Sequence, residues 1–353
     1  MTSKRYLDNG ISLINLSKEQ ESIKNRINKK IKENRYKFKN YRCLICNLNK
    51  FEVLSLKDRH GLRMPVRICK NCGLIQNNPR MDSKSCIKFY QEEYRNFYSK
   101  NGASMKAFFK HQQKHGKKIY DFISKKLNKK IEGWTILEIG AGSGGILHHF
   151  KNKNNNVFGT DLNDKYLNYG KRRGINLINT SLDKLDSLKI KPDLIILSHV
   201  LEHFQNPKKE LSRIRKIMNQ NTLLYVEVPG VKNLHRSYQM DFLRYLQFGH
   251  IFHFTRQTLE NLLQKNGLSR IVIDEEVKSI FKMNKKNKKE LTIKSDYSQI
   301  IDYFNNLEKK RKQRFNLYLI KVDFYKTIIS TLKRIGLFNI INKHVYISSS
   351  LSN

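Results

Sequence analysis

The segment LEIGAGSGG, residues 137–145, constrains the fold of this 353-residue chain more than any other stretch. Apolar, strand-like residues lead into four closely spaced glycines, and a helix-like run follows them. At such a turn the glycines allow a ligand to lie against exposed backbone near a helix N-terminus. The segment therefore predicts a cofactor-binding turn between a strand and a helix.

Short apolar segments alternate with helical ones from Trp134 onward. This alternation is typical of βαβ units, in which helices cover both faces of a parallel sheet. The predicted fold class is therefore α/β, with a doubly wound, Rossmann-like sheet. SRIVIDEE and ELTIKS are predicted as its last two strands, and HFTRQTLENLLQKNGL before them as a helix that ends at Gly267. The earlier strand-like segments are TILEIG, VFGTDL, INLINT, DLIILS and TLLYVEVPG.

Composition divides the chain around this domain. The first segment is polar and basic, with few apolar residues for docking, and we expect a loosely attached arm. The cysteine-containing segment that follows has the character of a small zinc ribbon. The predicted units are a basic N-terminal arm (1–41), a zinc-binding module (42–82), a helical bridge (83–130), the cofactor-binding domain (131–295) and a basic helical C-terminal extension (296–353).

Four of the five cysteines form two Cys-x-x-Cys pairs, Cys43 with Cys46 and Cys69 with Cys72. Four thiolates make a closed tetrahedral zinc site with no position open for chemistry, so we predict a structural Zn²⁺ ion. Free thiols and an iron–sulfur centre are the alternatives. Cys86 is left over and is expected to be a buried, idle thiol. Because zinc ribbons also bind nucleic acids, the module by itself leaves that function open.

The formal net charge of +39 comes from 69 lysines and arginines against 30 acidic residues. Such an excess suits nucleic acid, an anionic membrane or an acidic substrate. The lysines are nevertheless spread along the whole chain among many Asn and Ile residues, a pattern that a compositional bias of the genome also produces, and we favour this explanation. No apolar run is long enough for a membrane span, and the N-terminus lacks a signal peptide, so a cytoplasmic protein is expected.

The glycine spacing fits two classes of cofactor. Gly140, Gly142 and Gly144 match the G-x-G-x-G pattern of methyltransferases, whereas Gly140, Gly142 and Gly145 match the dinucleotide pattern G-x-G-x-x-G. Asp161, at the end of the next predicted strand, can accept hydrogen bonds from ribose hydroxyls in either class. The spacing alone therefore leaves both a methyltransferase and a nicotinamide-dependent oxidoreductase open.

Glu138, two residues before the first glycine, discriminates between the two classes. A carboxylate at this place suits the cationic aminoacyl part of S-adenosylmethionine, whereas it would repel a pyrophosphate. The charge therefore predicts S-adenosylmethionine as the cofactor.

Several motifs also occur in the order seen in class I bacterial methyltransferases, which the chain resembles over residues 40–295: LEIGAGSG, GTDLN, DLIILSHVLEHFQNP and GHIFHFTRQTLENLLQKNGL. CKNCGLIQNNP followed by FYQEEYRNFY is similar to the N-terminal segment of methyltransferases related to the bacterial sugar C-methyltransferases. The resemblance implies that Glu138, Gly140, Ala141, Gly142 and Gly144 line the methionine part of the cofactor, Asp161 and Leu162 the ribose, and Ser181 and Leu182 the adenine, with Ser198 and His199 after the fourth strand.

Methyl transfer needs alignment of the acceptor and, for a weak nucleophile, a base. The candidate bases are His199 and His203, with Glu202, in SHVLEH, and His250 and His253 in FGHIFHF. Of these, His250 and His203 are the favoured ones. In the sugar C-methyltransferases the second segment reads Y-H-E-H-x-x-Y-F-S, and His250 aligns with its final histidine. Gln247, Phe248 and Gly249 replace the preceding tyrosine, histidine and glutamate. Because these enolising groups are missing, O- or N-methylation is favoured over C-methylation.

The predicted acceptor is a small molecule, a sugar or a nucleotide-linked sugar, in polysaccharide biosynthesis. One alternative is a nucleic-acid methyltransferase that uses the basic surface and the zinc module. SHVLEH, however, stands where amino-group methylases of bases carry [DNS]-P-P-[YFW]. A second alternative is a non-catalytic scaffold that keeps the methyltransferase fold.

Overall fold

The computed structural model describes residues 3–98, 104–234, 238–284 and 292–313, with a few single positions between 324 and 335. The strands are β1 Phe38–Lys39, β2 Phe51–Lys57, β3 Arg63–Cys69, β4 Ile75–Asn77, β5 Arg80–Met81, β6 Thr135–Ile139, β7 Asn156–Asp161, β8 Asn176–Asn179, β9 Leu194–Ser198, β10 Leu223–Glu227, β11 Phe252–His253, β12 Leu268–Ile273 and β13 Lys278–Met283. The helices are α1 Lys18–Lys32, α2 Ser83–Phe89, α3 Arg95–Tyr98, α4 Met105–Leu127, α5 Gly145–Lys151, α6 Asp164–Lys171, α7 Pro207–Lys216, α8 Phe242–Tyr245, α9 Arg256–Lys265 and α10 Tyr297–Lys312.

The largest sheet has seven strands in the order β12-β13-β10-β9-β6-β7-β8. The five strands from β10 to β8 are parallel, whereas β13 runs antiparallel to both of its neighbours. Its central strands β6 and β9 are buried because helices cover both faces. The predicted α/β class and Rossmann-like sheet are confirmed. The antiparallel β13 between β10 and β12 departs from the 3-2-1-4-5-6 order of dinucleotide-binding sheets.

The prediction that ELTIKS forms the last strand is wrong. The last strand of the sheet is β13, KSIFKM, which forms a tight hairpin with β12. Ile280 and Phe281 of β13 are fully buried, whereas residues 292–295 have no regular structure. KSIFKM follows β12 directly in the chain and therefore pairs with it through a short connection. The two apolar residues that KSIFKM buries favour it over ELTIKS as the last strand. Residues 290 and 291 of ELTIKS lie outside the described residues.

A second sheet joins the cysteine-containing segment to the C-terminal half of the chain. Its order is β11-β4-β3-β2, all antiparallel, and β11 belongs to the FGHIFHF segment. Asn77 reinforces the junction: its backbone N–H donates to Ile251 O at 2.9 Å, and its side-chain amide donates to His250 O at 2.7 Å. The position of His250 therefore depends on the cysteine-containing segment.

The N-terminal segment is not a loosely attached arm as expected, because the structure packs it against the rest of the chain. Ile23 and Ile27 of α1 are buried, as is Tyr6, whose hydroxyl donates to Glu308 Oε1 at 2.6 Å. Two isoleucines four residues apart lie on one helix face, so a narrow apolar stripe is sufficient for docking. Of the predicted C-terminal extension, α10 is helical, and most of the chain beyond residue 313 lies outside the described residues.

No helix within the described ranges is both long and apolar enough to cross a membrane.

Docking of α1 can be tested with Ile27→Ala. Because Ile27 is fully buried, we expect a loss of about 2–5 kcal/mol in the free energy of unfolding. Lys29→Ala, on the exposed face of the same helix, is the control and should change it by about 0.5 kcal/mol or less. Denaturant unfolding measures both, and equal small effects would contradict the packing of this helix.

Candidate active site

The glycine loop runs from the end of β6 to the start of α5, and backbone hydrogen bonds attach it to β7. The backbone N–H groups of Gly140 and Ala141 both donate to Thr160 O, at 2.8 and 2.9 Å. Gly140 and Gly142 have φ values of +75° and +56°, a left-handed conformation that a side chain disfavours. Gly144 directly precedes α5. The loop therefore has one defined path along the carboxyl edge of the sheet.

Asp161 ends β7 and also shapes this loop. Its Oδ2 accepts a hydrogen bond from Gly142 N at 2.9 Å, and its Oδ1 accepts one from Asn163 N at 2.9 Å. The neighbouring Leu162 is 70% exposed, so a large apolar side chain is available to a ligand beside the carboxylate.

Glu138 lies in β6 directly below the glycine loop and is 2% exposed. Burial, followed by the charge of Asp161, raises its pKa well above the usual range. Its Oε2 accepts no hydrogen bond from the described residues. A buried carboxylate of this kind is costly unless a cation or a donor approaches it. The ammonium group of a bound aminoacyl cofactor fits this requirement.

The other residues predicted to contact the cofactor lie at the same edge of the sheet. Ser181 and Leu182 begin the turn after β8, and the Ser181 hydroxyl bonds Asp183. Ser198 ends β9, and His199 follows it. Since the carboxyl ends of β6 to β9 meet along one edge, the structure brings all the predicted cofactor residues to this side of the sheet.

Gln112 of α4 braces the glycine loop and was missed in the sequence. Its Nε2 donates to Ala141 O at 3.0 Å. Its Oε1 accepts from Ser143 Oγ at 2.6 Å and from Gly145 N at 3.2 Å. Gln112 lies inside an amphipathic helix and belongs to no recognisable motif. The sequence therefore does not distinguish it from a glutamine on the surface.

His115 and Glu227 form a hydrogen-bonded pair next to Ser198, which the sequence analysis does not predict. His115 Nε2 lies 2.9 Å from Glu227 Oε2 and 3.1 Å from Ser198 Oγ. Burial acts to raise the pKa of Glu227, but the hydrogen bond and charge of His115 and the charge of His199 outweigh it and lower the pKa to about 2. The two residues are distant in sequence, and only the packing of α4 against the sheet brings them together.

Four residues next to the cofactor side form what we call the histidine–glutamate cluster: His199, Glu202, His203 and His250. Glu202 is 1% exposed, and its Oε1 lies 3.6 Å from His199 Nδ1, 3.8 Å from His203 Nε2 and 4.0 Å from His250 Nε2. Neither carboxylate oxygen accepts a hydrogen bond from the part of the chain that the structure describes. Both predicted bases, His203 and His250, thus surround one buried carboxylate.

His203 has a defined orientation. Its Nδ1 lies 2.8 Å from Tyr90 Oη and 2.9 Å from Gly249 O. Because a carbonyl oxygen only accepts, Nδ1 carries the proton and Nε2 is the nitrogen that faces Glu202. Tyr90 packs on Tyr94 with ring centroids 4.5 Å apart, so aromatic side chains support this histidine.

His250 is held differently. Burial, followed by the charges of His203 and other nearby histidines, lowers its pKa well below the usual range. Gln247 Nε2 lies 2.5 Å from His250 Nε2, and Arg59 Nη2 donates to Gln247 Oε1 at 2.7 Å. The arginine thereby turns the amide nitrogen of Gln247 toward the imidazole.

Residues 98–272 match the protein family described as a methyltransferase domain, a range that includes the glycine loop, Asp161 and the histidine–glutamate cluster. Residues 98–272 therefore form a methyltransferase domain. No curated protein matches it in sequence.

Solved structures similar to this methyltransferase share little sequence with it. DesVI of Streptomyces venezuelae is 14% identical, with a TM-score of 0.32, over 38% of this chain and 59% of that chain. An S-adenosylmethionine-dependent methyltransferase of Archaeoglobus fulgidus is 20% identical, with a TM-score of 0.38, over 56% and 86%. Magnesium protoporphyrin IX methyltransferase of Synechocystis PCC 6803, solved with bound S-adenosylhomocysteine, is 14% identical, with a TM-score of 0.42, over 56% and 98%. The methyltransferase thus spans about three fifths of the length of DesVI.

The four paired cysteines of the methyltransferase converge, away from Cys86. Cys43 Sγ lies 3.4 Å from Cys72 Sγ, and Cys46 Sγ lies 3.5 Å from Cys69 Sγ. All four sulfur atoms lie within 4.8 Å of one another. Sulfur atoms around a tetrahedral zinc ion, at about 2.3 Å from it, are roughly 3.8 Å apart, so the geometry fits this ion.

The bracing role of Gln112 predicts that Gln112→Ala weakens binding of S-adenosylhomocysteine about tenfold, because the loop loses three hydrogen bonds worth about 0.5–1.5 kcal/mol each. Gln113→Ala is the matched control, since the neighbouring Gln113 contacts His148 instead. Isothermal titration calorimetry measures both affinities. Equal affinities in the two variants would show that Gln112 does not support the loop.

Proposed function

We propose that this methyltransferase transfers the methyl group of S-adenosylmethionine to an oxygen or nitrogen atom of a small acceptor, a sugar or nucleotide-linked sugar. The observation that carries the proposal is the histidine–glutamate cluster, a set of proton-accepting groups at the carboxyl edge of the sheet, next to the glycine loop. Ligands of this architecture bind at that edge.

The proposed cofactor site uses the residues predicted from the sequence. When bound, S-adenosylmethionine supplies an electrophilic methyl group on a sulfonium. The buried carboxylate of Glu138 attracts the aminoacyl end, because its Oε2 has no other donor among the described residues. The full proposed set is Glu138, Gly140, Ala141, Gly142 and Gly144 for the methionine part, Asp161 and Leu162 for the ribose, Ser181 and Leu182 for the adenine, and Ser198 with His199 toward the acceptor side.

The histidine–glutamate cluster takes a proton from the acceptor during methyl transfer. The acceptor atom attacks the methyl carbon, the carbon–sulfur bond breaks with its electron pair left on sulfur, and the acceptor proton passes to the cluster. His203 and His250, the predicted bases, both lie there, so the proton is taken at this place whichever of the two receives it. His203 Nε2 is the better oriented nitrogen, since Tyr90 and Gly249 O fix the other side of the ring.

Three features support an O- or N-methylated sugar-like acceptor. Gln247 and Phe248 stand where C-methylation would need ionisable side chains, and Phe248 is 7% exposed and apolar. The rings of Tyr90, Tyr94 and Tyr98 pack against one another at tilted angles, and Tyr90 lies edge-on to His203. Whatever its origin, the net charge of +39 also attracts the phosphates of a nucleotide-linked substrate.

Asp161→Ala tests the cofactor site. The variant removes the ribose-binding carboxylate and its bond to Gly142 N, so S-adenosylhomocysteine should bind about 100-fold more weakly, since a bond to a charged group is worth roughly 1.5–3 kcal/mol. Asp186→Ala, an exposed aspartate in the next loop, is the control. Undiminished affinity in calorimetry would contradict the proposed site.

The acceptor class is tested with methyl-labelled S-adenosylmethionine, offered together with simple sugars, nucleotide-linked sugars or RNA. Label in a sugar or sugar nucleotide is the expected result. Label in RNA alone, with RNA binding that survives physiological salt, would replace the small acceptor by a nucleic acid.

We also propose that Cys43, Cys46, Cys69 and Cys72 hold a structural zinc ion. Cys69→Ser should release the ion and lower the stability of the chain by several kcal/mol, because such a site binds metal and folds as one step. Cys86→Ser, a buried cysteine outside the cluster, should keep the ion. Metal analysis and thermal unfolding measure both effects, and stability of the wild type unchanged by chelation would contradict the zinc.

A further inference from the structure

We propose that the histidine–glutamate cluster binds a divalent transition-metal ion, with Glu202, His203 and His250 as ligands, and that this ion holds the acceptor atom. The role toward the acceptor rests on the function proposed above, whereas the existence of the site rests on the geometry of the cluster alone.

The spacing around Glu202 is that of ligands rather than of hydrogen-bonded partners. Its Oε1 lies 3.8 Å from His203 Nε2 and 4.0 Å from His250 Nε2, beyond hydrogen-bond distance. One ligand atom from each of the three residues lies within 4.8 Å of the others. Nitrogen and oxygen ligands about 2.1 Å from a tetrahedral ion are roughly 3.4 Å apart, so small side-chain movements would close the site.

The unsatisfied groups of the cluster also favour an ion. Glu202 is 1% exposed, yet neither of its oxygens accepts a hydrogen bond from the described residues. A buried carboxylate without donors is unfavourable, and a cation between it and the imidazoles removes the penalty. Two imidazoles and one carboxylate are a ligand set that zinc and similar ions accept, and three protein ligands leave a position open for a further ligand.

His203 is already arranged as a metal ligand. Metal-binding histidines donate their other ring N–H to a carbonyl or carboxylate, which fixes both tautomer and orientation. Nδ1 of His203 lies 2.9 Å from Gly249 O and Nε2 faces Glu202. Tyr90 Oη, at 2.8 Å from Nδ1, further restricts the ring.

His199 and Gln247 are the polar neighbours of the three proposed ligands. His199 has φ +55°, in the left-handed region, and its side chain is 47% exposed with Nδ1 3.6 Å from Glu202 Oε1. It therefore lies where an acceptor can enter. Gln247 Nε2 is 2.5 Å from His250 Nε2, so this amide must turn away before His250 can bind the ion.

The chemistry of such an ion matches the proposed reaction. A divalent cation that binds an acceptor hydroxyl lowers the pKa of that hydroxyl and supplies a better nucleophile. With the ion bound, His203 and His250 are ligands and do not take the proton. The proton of the bound hydroxyl passes to water instead, and the acceptor oxygen then takes the methyl group from sulfur. In this arrangement the ion positions the acceptor hydroxyl, and no single histidine is needed as a base.

The test titrates Co²⁺ into the full chain after the cysteine site has been filled with Zn²⁺. We expect the wild type to bind one Co²⁺ ion per chain, with ligand-field absorption and no thiolate-to-cobalt charge-transfer band. Glu202→Gln, which keeps the shape of the side chain, should bind Co²⁺ at least tenfold more weakly. Glu275→Gln, an exposed glutamate paired with Arg256, is the matched control and should equal the wild type.

Equal Co²⁺ affinity in the wild type and Glu202→Gln, or binding only with the thiolate band, would overturn the metal site. Calorimetry with S-adenosylhomocysteine on the same samples shows whether Glu202→Gln is folded and separates the two proposals. Retained cofactor binding without Co²⁺ binding overturns the metal site alone. Loss of cofactor binding in the wild type would instead contradict the proposed function, and the Co²⁺ titration would still decide the metal site.

Discussion

The site depends first on the attachment of the glycine loop to β7. Thr160 O accepts two successive backbone N–H groups of the loop, and the Asp161 carboxylate accepts a third from Gly142. These bonds fix the position at which the loop leaves β6. They thereby also fix the position of the buried Glu138, which precedes the loop, and of α5, which follows it. Two of these three bonds join backbone groups alone and do not depend on side-chain identity.

The second organising contact is the strand β11, which extends the sheet of the cysteine-containing segment. Asn77 bonds Ile251 and His250 through both backbone and side chain, so the segment next to the cysteines positions an imidazole of the acceptor side. The cysteine-containing segment therefore helps to position His250.

The sequence predicted best where neighbouring residues form the site. Glu138, the glycines and Asp161 lie at the ends of consecutive strands, and parallel strands bring such ends together without further information. The predictions failed where a long-range contact decides. A narrow stripe of two isoleucines is enough to dock α1. Burial of Ile280 and Phe281 selects KSIFKM as the last strand, where the sequence analysis predicts ELTIKS. The domain boundaries and the roles of individual site residues stay predictions.

The sequence by itself determined the α/β class and the cofactor, because the period of apolar residues and the charge of Glu138 are local properties. The convergence of the paired cysteines likewise follows their spacing. Only the tertiary structure decided that Gln112 braces the loop, that His115 meets Glu227, and that histidines from two distant segments surround Glu202. The physical reason is that these contacts join residues far apart in the chain, whose proximity depends on how α4, β9 and the FGHIFHF segment pack together.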